Sequence, residues 1–267
     1  MARIDLKNCI VRLSDGGAQS ATIDCTAANS DFVVTRKSHT GAFPISITLV
    51  DPGTTASLSI DMDEFDITVN LAYATGAITS TANDVIAALA AHTLISKLIT
   101  PSLASGSTGA GLVNAKAKAT LTGTKKSIEV KIGDGDFQFT QNKPRQYLLD
   151  RGNLDSTRDD NQQPVEIDID SVWEFYTAAS GGTETFEDAL NQDGEASDWV
   201  TSDSDTCQPY SLDLEIDNSP ACTGTREVLV FPKFRYEKLT FSASKYSLTC
   251  SGKANVVRPT VYRVDAS

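Results

Sequence analysis

The side chains with the most capacity for chemistry in this sequence are carboxylates, and they are concentrated. Residues 155–217 hold 18 acidic side chains and one basic one, Arg158, a net of −17; the rest of the 267-residue chain holds 17 acidic and 22 basic side chains, a net of +5. Two segments in that stretch alternate apolar and acidic residues. One sets Val165, Ile167 and Ile169 against Glu166, Asp168 and Asp170; the other sets Leu212, Leu214 and Ile216 against Asp213, Glu215 and Asp217. A period of two is the mark of a strand with one buried and one solvated face, so each carboxylate trio is expected along one side of a strand. Nothing singles out a pair of them for general acid–base work. A wall of like charge repels phosphates, and repeating it around a ring adds up the field; solvated acidic loops are the plainer reading.

The remaining candidates for chemistry are thin. His39 and His92 are the only histidines, and neither has a second ligand at metal spacing. Cys9, Cys25, Cys207, Cys222 and Cys250 are widely spread and form no C-x-x-C. They read as reduced, buried thiols of a chain made in a reducing cytoplasm, with cross-links between subunits as the sharper alternative. Gly133-x-Gly135 has Gln138 where a dinucleotide loop needs its third glycine, and no helical pattern follows. Gly106 to Gly111 lacks the Gly-Lys-Ser/Thr ending of a phosphate loop. Asp134 with Asp136, and Asp203 with Asp205, lack the rest of a calcium loop and read as turns. Ser242 and Lys245 match an acylating Ser-x-x-Lys by spacing alone. Trp173 and Trp199 read as packing residues. The expectation is a protein that is not an enzyme and uses no cofactor or metal.

Composition agrees with a structural or binding role. The net charge of −12 argues against a nucleic-acid binder, which needs a basic footprint. No window approaches the ~18 consecutive apolar residues of a membrane span, and Met1 to Lys7 lacks the apolar run of a signal peptide. The length allows one or two domains with a real core.

The elements that would position these residues are mostly strands. Ile4 to Leu13, Ala21 to Cys25, Phe32 to Thr35, Ile45 to Val50, Ser57 to Ile60 and Phe65 to Leu71 read as strands separated by turn residues such as Asp51-Pro52-Gly53. The texture changes at Ser80 to Ala90, a helix with Thr81 and Asp84 as its capping pair and Val85, Ile86 and Leu89 on one face. A second short helix is expected over Leu94 to Ile99, before Pro101, and a strand over Ala117 to Leu121. Ser127 to Ile132, Phe137 to Thr140, the two acidic segments, Val228 to Phe231, Phe234 to Phe241, Tyr246 to Cys250 and Val256 to Val264 are further strands, with a short helix at Thr185 to Leu190. Two packed antiparallel sheets bury this many half-apolar strands.

Several blocks are also familiar. Ile128 to Gly135, Tyr147 to Arg158, Gln163-Pro164-Val165 with the strand after it, Cys207 to Tyr210, Pro220 to Cys222, Glu227 to Glu237, Ser251 to Asn255 and Pro259 to Arg263 resemble the tail tube proteins (major tail proteins) of tailed bacteriophages. Residues 41–123, with Ile45 to Gly53, Gly76 to Ala82, Asp84 to Ala88 and Leu121-Thr122-Gly123, are similar to a small α/β module that recurs in phage structural proteins. The resemblance implies a mainly β chain: an antiparallel β-sandwich tube domain with a flanking short helix over 1–40 and 124–267, interrupted by an inserted α/β domain over 41–123 on the tube exterior. It implies a virion protein whose copies join into rings, usually hexameric, that stack into the tail tube. Its other partners would be the tape measure, terminator and tip or baseplate proteins, and in some tails a sheath. DNA would pass through the lumen without specific binding, and Glu166, Asp168, Asp170, Asp213, Glu215 and Asp217 would be candidates to line it. Cys9 or Cys25 would be placed to reach a neighbouring subunit. The alternatives are a capsid decoration or other head protein, a carboxylate-pair hydrolase, and a bacterial secretion tube.

Overall fold

Short period-two runs broken by Gly, Pro, Asn and Asp leave this chain few options other than strands. The computed structural model describes residues 9–132, 136–172, 184–205, 207–218 and 225–265. The chain opens with β1 (Cys9–Ser14), β2 (Gln19–Ile23) and β3 (Phe32–Arg36). Then come β4 (Ser46–Val50), β5 (Ser59–Asp63), β6 (Asp66–Asn70) and the two-residue strands β7 (Tyr73–Ala74) and β8 (Ala77–Ile78). Helices α1 (Ala82–Ala91) and α2 (Ile95–Leu98) lead into β9 (Ile99–Leu103), β10 (Lys116–Thr120) and β11 (Thr122–Gly123). The second half holds β12 (Ser127–Val130), β13 (Phe137–Thr140), β14 (Arg145–Asp150), β15 (Asn153–Asp159) and β16 (Val165–Val172). After α3 (Phe186–Asn191) come β17 (Leu212–Asn218), β18 (Thr225–Ser242), β19 (Ser247–Ala254) and β20 (Thr260–Asp265). The fold is mainly β.

One eight-stranded antiparallel sheet organises the molecule, in the order β12-β1-β17-β18-β19-β16-β13, with β20 also paired to β18. The 18-residue β18 serves both halves: its first part pairs with β17 and β20, its second with β19. The sheet curls on itself. Phe139 of β13 meets Phe231 of β18 with ring centroids 5.0 Å apart, although β19 and β16 lie between them in the strand order. At the other end, the Val172 amide donates to the Lys131 carbonyl at 2.9 Å, joining the end of β16 to the residue after β12. The apolar residues of both trios, with Phe231, Phe234, Cys250 and Trp199, fill the inside of the curl. Helix α3 caps this core with Ala189 and Leu190, and is started by Thr185 and Asp188 exchanging side-chain and backbone hydrogen bonds.

A second core lies against the outside of the curl. Two four-stranded sheets, β10-β4-β6-β5 and β11-β2-β3-β9, enclose it with α1, whose Thr81–Asp84 capping box is formed as expected. β4 and β6 run parallel, with Ile47 opposite Ile67 and Leu49 opposite Val69, so these four buried side chains share the face that meets the core. Val228, Val230, Tyr262 and Val264 of the large sheet belong to this core too. The module is therefore seated on β18 and β20 by apolar burial, and Phe43 stacks on Phe65 at 3.9 Å beside Tyr262.

Several sequence expectations need correction. The boundary at residue 40 does not coincide with the sheets: β2 and β3 pair with β9 and β11, not with β1, so residues 19–36 build the second module. The short helix before Pro101 ends at Leu98, and β9, a strand outside the sequence expectations, follows at once with Pro101 inside it, at an edge where its missing N–H faces no partner. The strand expected over Val256 to Val264 starts only at Thr260. Residues 145–159 form a hairpin that the alternation analysis did not identify. Ser242 ends β18 and Lys245 lies in the turn that follows. Gly133, Asp134, Gly135, Trp173, Phe175 and Cys222 lie outside the described residues.

Candidate functional site

The first carboxylate trio sits where alternation puts it. β16 pairs with β13 on one side and β19 on the other, with Glu166 opposite Thr140 and Lys253, Asp168 opposite Gln138 and Ser251, and Asp170 opposite Thr249. Arg235, Lys238 and Thr240 of β18 continue the rows, opposite Lys253, Ser251 and Thr249. This outward wall is polar on all four strands up to Val172, which is exposed at the end of β16. Two of its cations are held by other acids, Lys253 by Glu237 at 3.2 Å and Arg235 by Asp203 at 2.9 Å, while Lys238 stands exposed on the wall. Among the described residues Glu166 and Asp168 are exposed and have no cation partner, while Asp170 is half-buried and accepts from the Thr249 hydroxyl at 3.3 Å. The wall therefore presents Glu166 and Asp168 to solvent on a mixed surface that also carries the exposed Lys238. Asp203, expected in a turn with Asp205, holds Lys233 as well as Arg235; Lys233 is the main reason its carboxyl is depressed, to about 2.

The second trio is a correction. Asp213, Glu215 and Asp217 occupy the outward face of β17, but the second module covers that face and all three are buried. The Asp217 carboxylate takes two bonds from Arg226, at 2.9 and 2.6 Å, and one from Arg12 at 3.0 Å. Burial pushes its pKa up, and the two guanidinium groups more than reverse this, leaving it below the usual carboxylate range. Arg226 continues to Glu64 at 2.6 Å and lies over the Phe65 ring. Glu215 accepts from Arg12 at 2.8 Å and from the Ala42 amide at 2.5 Å; Asp213 faces His39 at 2.9 Å. Arg36 enters the same seam, donates to the Gly41 and Phe43 carbonyls, and lies over the Phe43 ring. Burial brings its pKa down to about 10, against the pull of Glu215. The period-two pattern correctly placed this trio on one face; it carried no sign that 100 residues upstream would fold over it.

Gly41 marks the closeness of that seam. Its φ is +82°, and a Cβ there would overlap Glu215 Oε2. Gly41→Ala is expected to destabilise the protein by about 1–3 kcal/mol through backbone strain and displacement of the Glu215 carboxylate, read as a lower urea midpoint.

The feature that sequence reasoning missed is the β14–β15 hairpin. Its strands pair only with each other, and every residue of β14 is exposed. In the register, Tyr147 lies opposite Thr157 and, past a bulge, Leu149 opposite Leu154. Tyr147 and Leu149 are two apart and share a side with Leu154, so one face of the ribbon is apolar: the three are 61%, 65% and 63% exposed. An isolated two-stranded ribbon is marginal in water, and an exposed apolar face of this kind is a contact surface. The signal was present as Tyr147-Leu148-Leu149 facing Leu154 across Asp150-Arg151-Gly152-Asn153, but the bulge breaks the alternation that identifies strands.

The cysteines divide by burial. Cys25 and Cys250 are buried free thiols, which removes Cys25 as a reach to a neighbour; Cys9 is half-buried and Cys207 exposed. Burial raises the Cys250 thiol to about 12 and pushes that of Cys9 up as well. Among the described residues no three His, Cys, Asp or Glu side chains group as a metal site, and no helix is long and apolar enough to cross a membrane. Compared with protein-family models, with curated proteins and with solved structures, the chain shows no significant match.

Proposed function

We propose that this chain is a structural virion protein that polymerises as stacked rings, hexameric by the family resemblance, into the tail tube of a tailed bacteriophage. The observation that carries the reading is the projecting β14–β15 ribbon with Tyr147, Leu149 and Leu154 open to solvent, an element that is unfavourable in a monomer and useful only in an assembly. The polar wall supports it. A lumen that passes DNA needs little apolar footing and no strong hold on phosphate, and this sheet face sets Glu166, Asp168 and Asp170 against Lys238, with Arg235 and Lys253 held by other acids. The second module is packed on the opposite side of the curl's core from this wall, against β17 and β20, so it can lie outside a ring whose inner surface is the wall. Tape measure, terminator and tip or baseplate proteins would be the other partners.

Electron microscopy of the purified protein at rising concentration tests the reading. Hollow rings or tubes are expected; a uniform population of monomers or compact trimers, persisting after tail-tip complexes are added, would favour a capsid decoration protein instead. In assembled particles, Glu166→Lys, Asp168→Lys and Asp170→Lys together are expected to leave tube length unchanged and to slow genome release by tenfold or more, through attraction of phosphates to the wall. Release at the wild-type rate would remove the wall from the lumen.

A further inference from the structure

At the foot of the hairpin lies a groove of about 720 Å³, bounded by residues 141–144 on one side, 159–162 on the other and 255–258 along the third. Pro144 and Val257 give it an apolar floor, and Lys143, Arg258, Asp159 and Asp160 stand on its rim. Val257 is 38% exposed, between half-buried Val256 and exposed Arg258. The tip of the same hairpin has the complementary chemistry. The Leu149–Leu154 pair forms an apolar ridge, and Asp150, Arg151 and Asp155 flank it. Two acids on the tip match two bases on the rim, and the tip arginine matches the two rim aspartates.

We propose that the hairpin tip of one copy seats in the groove at the hairpin foot of a second copy. The proposal rests on the self-assembly reading above and names the contact that drives it. A chain cannot fill its own groove with its own tip, because six residues of strand at about 3.3 Å each hold the two roughly 20 Å apart. The contact therefore joins two different patches, is heterologous, and propagates from copy to copy. Leu149 and Leu154 are buried against Pro144 and Val257; Asp150 and Asp155 meet Lys143 and Arg258; Arg151 meets Asp159 and Asp160. Gln141, Asn142, Asn161 and Gln162 line the groove and can bond the hairpin's exposed backbone groups.

Disulfide trapping decides it. In a Cys207→Ser background, Asn153→Cys and Val257→Cys in the same chain are expected to give a ladder of dimers, trimers and higher species on a non-reducing gel. Mixing chains that carry only one of the two is expected to give dimers alone. Lys143→Glu with Arg258→Glu is expected to raise the concentration needed for assembly at least tenfold, and Asp150→Lys with Asp155→Lys added to the same chain to restore it. Tubes that form from the wild type while the double-cysteine chain gives no ladder would overturn this contact and leave the tube reading standing. A dimer with no higher rungs from the double-cysteine chain would mean a closed exchange of hairpins and would also overturn it. If the wild type forms no polymer at any concentration, the tube reading itself fails and the contact with it.

Discussion

Replacing Tyr147, Leu149 and Leu154 together by serine is expected to yield a folded monomer that no longer polymerises. The three side chains contribute nothing to either core, so their loss leaves the fold's stability within about 0.5 kcal/mol. In an assembly, each that becomes buried contributes about 1.5–3 kcal/mol, so removing three raises the concentration needed for assembly by roughly a thousandfold or more. Sedimentation velocity across a concentration series measures this, with circular dichroism melting as the check on folding. A variant that assembles at the wild-type concentration would show that the ribbon is not the contact surface.

The second large effect is in the buried seam. Asp217→Ala leaves Arg12 and Arg226 facing each other under the second module with their shared carboxylate gone. Breaking a buried pair in this way costs about 3–5 kcal/mol, a large part of the ~5–15 kcal/mol available to a domain. Adding Arg226→Met is expected to recover part of the loss, because the remaining partner, Glu64, is well exposed to water. The same carboxylate gives the seam a pH dependence. Its pKa in the folded protein is depressed, so its contribution is fully present above the ordinary carboxylate value of about 3.9 and is lost as the pH falls through the depressed one. In urea titrations the stability gap between wild type and Asp217→Ala should be smaller at pH 3 than at pH 7, as acid begins to remove what the mutation has already removed. A gap that stays constant between the two pH values would mean that packing, not charge, holds the seam.

What the residues reveal unaided is local. Alternation identified β16 and β17, capping and one-face spacing identified α1, and the turn residues separated most of the strands, because each of these signals depends on neighbours within a few positions. The strand β9 and the β14–β15 ribbon were hidden, one by a proline tolerated only at an edge, the other by a bulge that shifts the alternation.

The two carboxylate trios show where the sequence stops. Their patterns are the same, three acids alternating with three apolar residues, and the sequence by itself determined that each trio shares one face of a strand. Tertiary structure alone decided that Glu166, Asp168 and Asp170 face solvent while Asp213, Glu215 and Asp217 are sealed beneath the second module with Arg12, Arg226 and His39. The apolar half of each pattern records which face meets the inner core of the curled sheet. The acidic half is equally satisfied by water or by buried guanidinium groups, and which of the two it meets depends on residues far away in the chain.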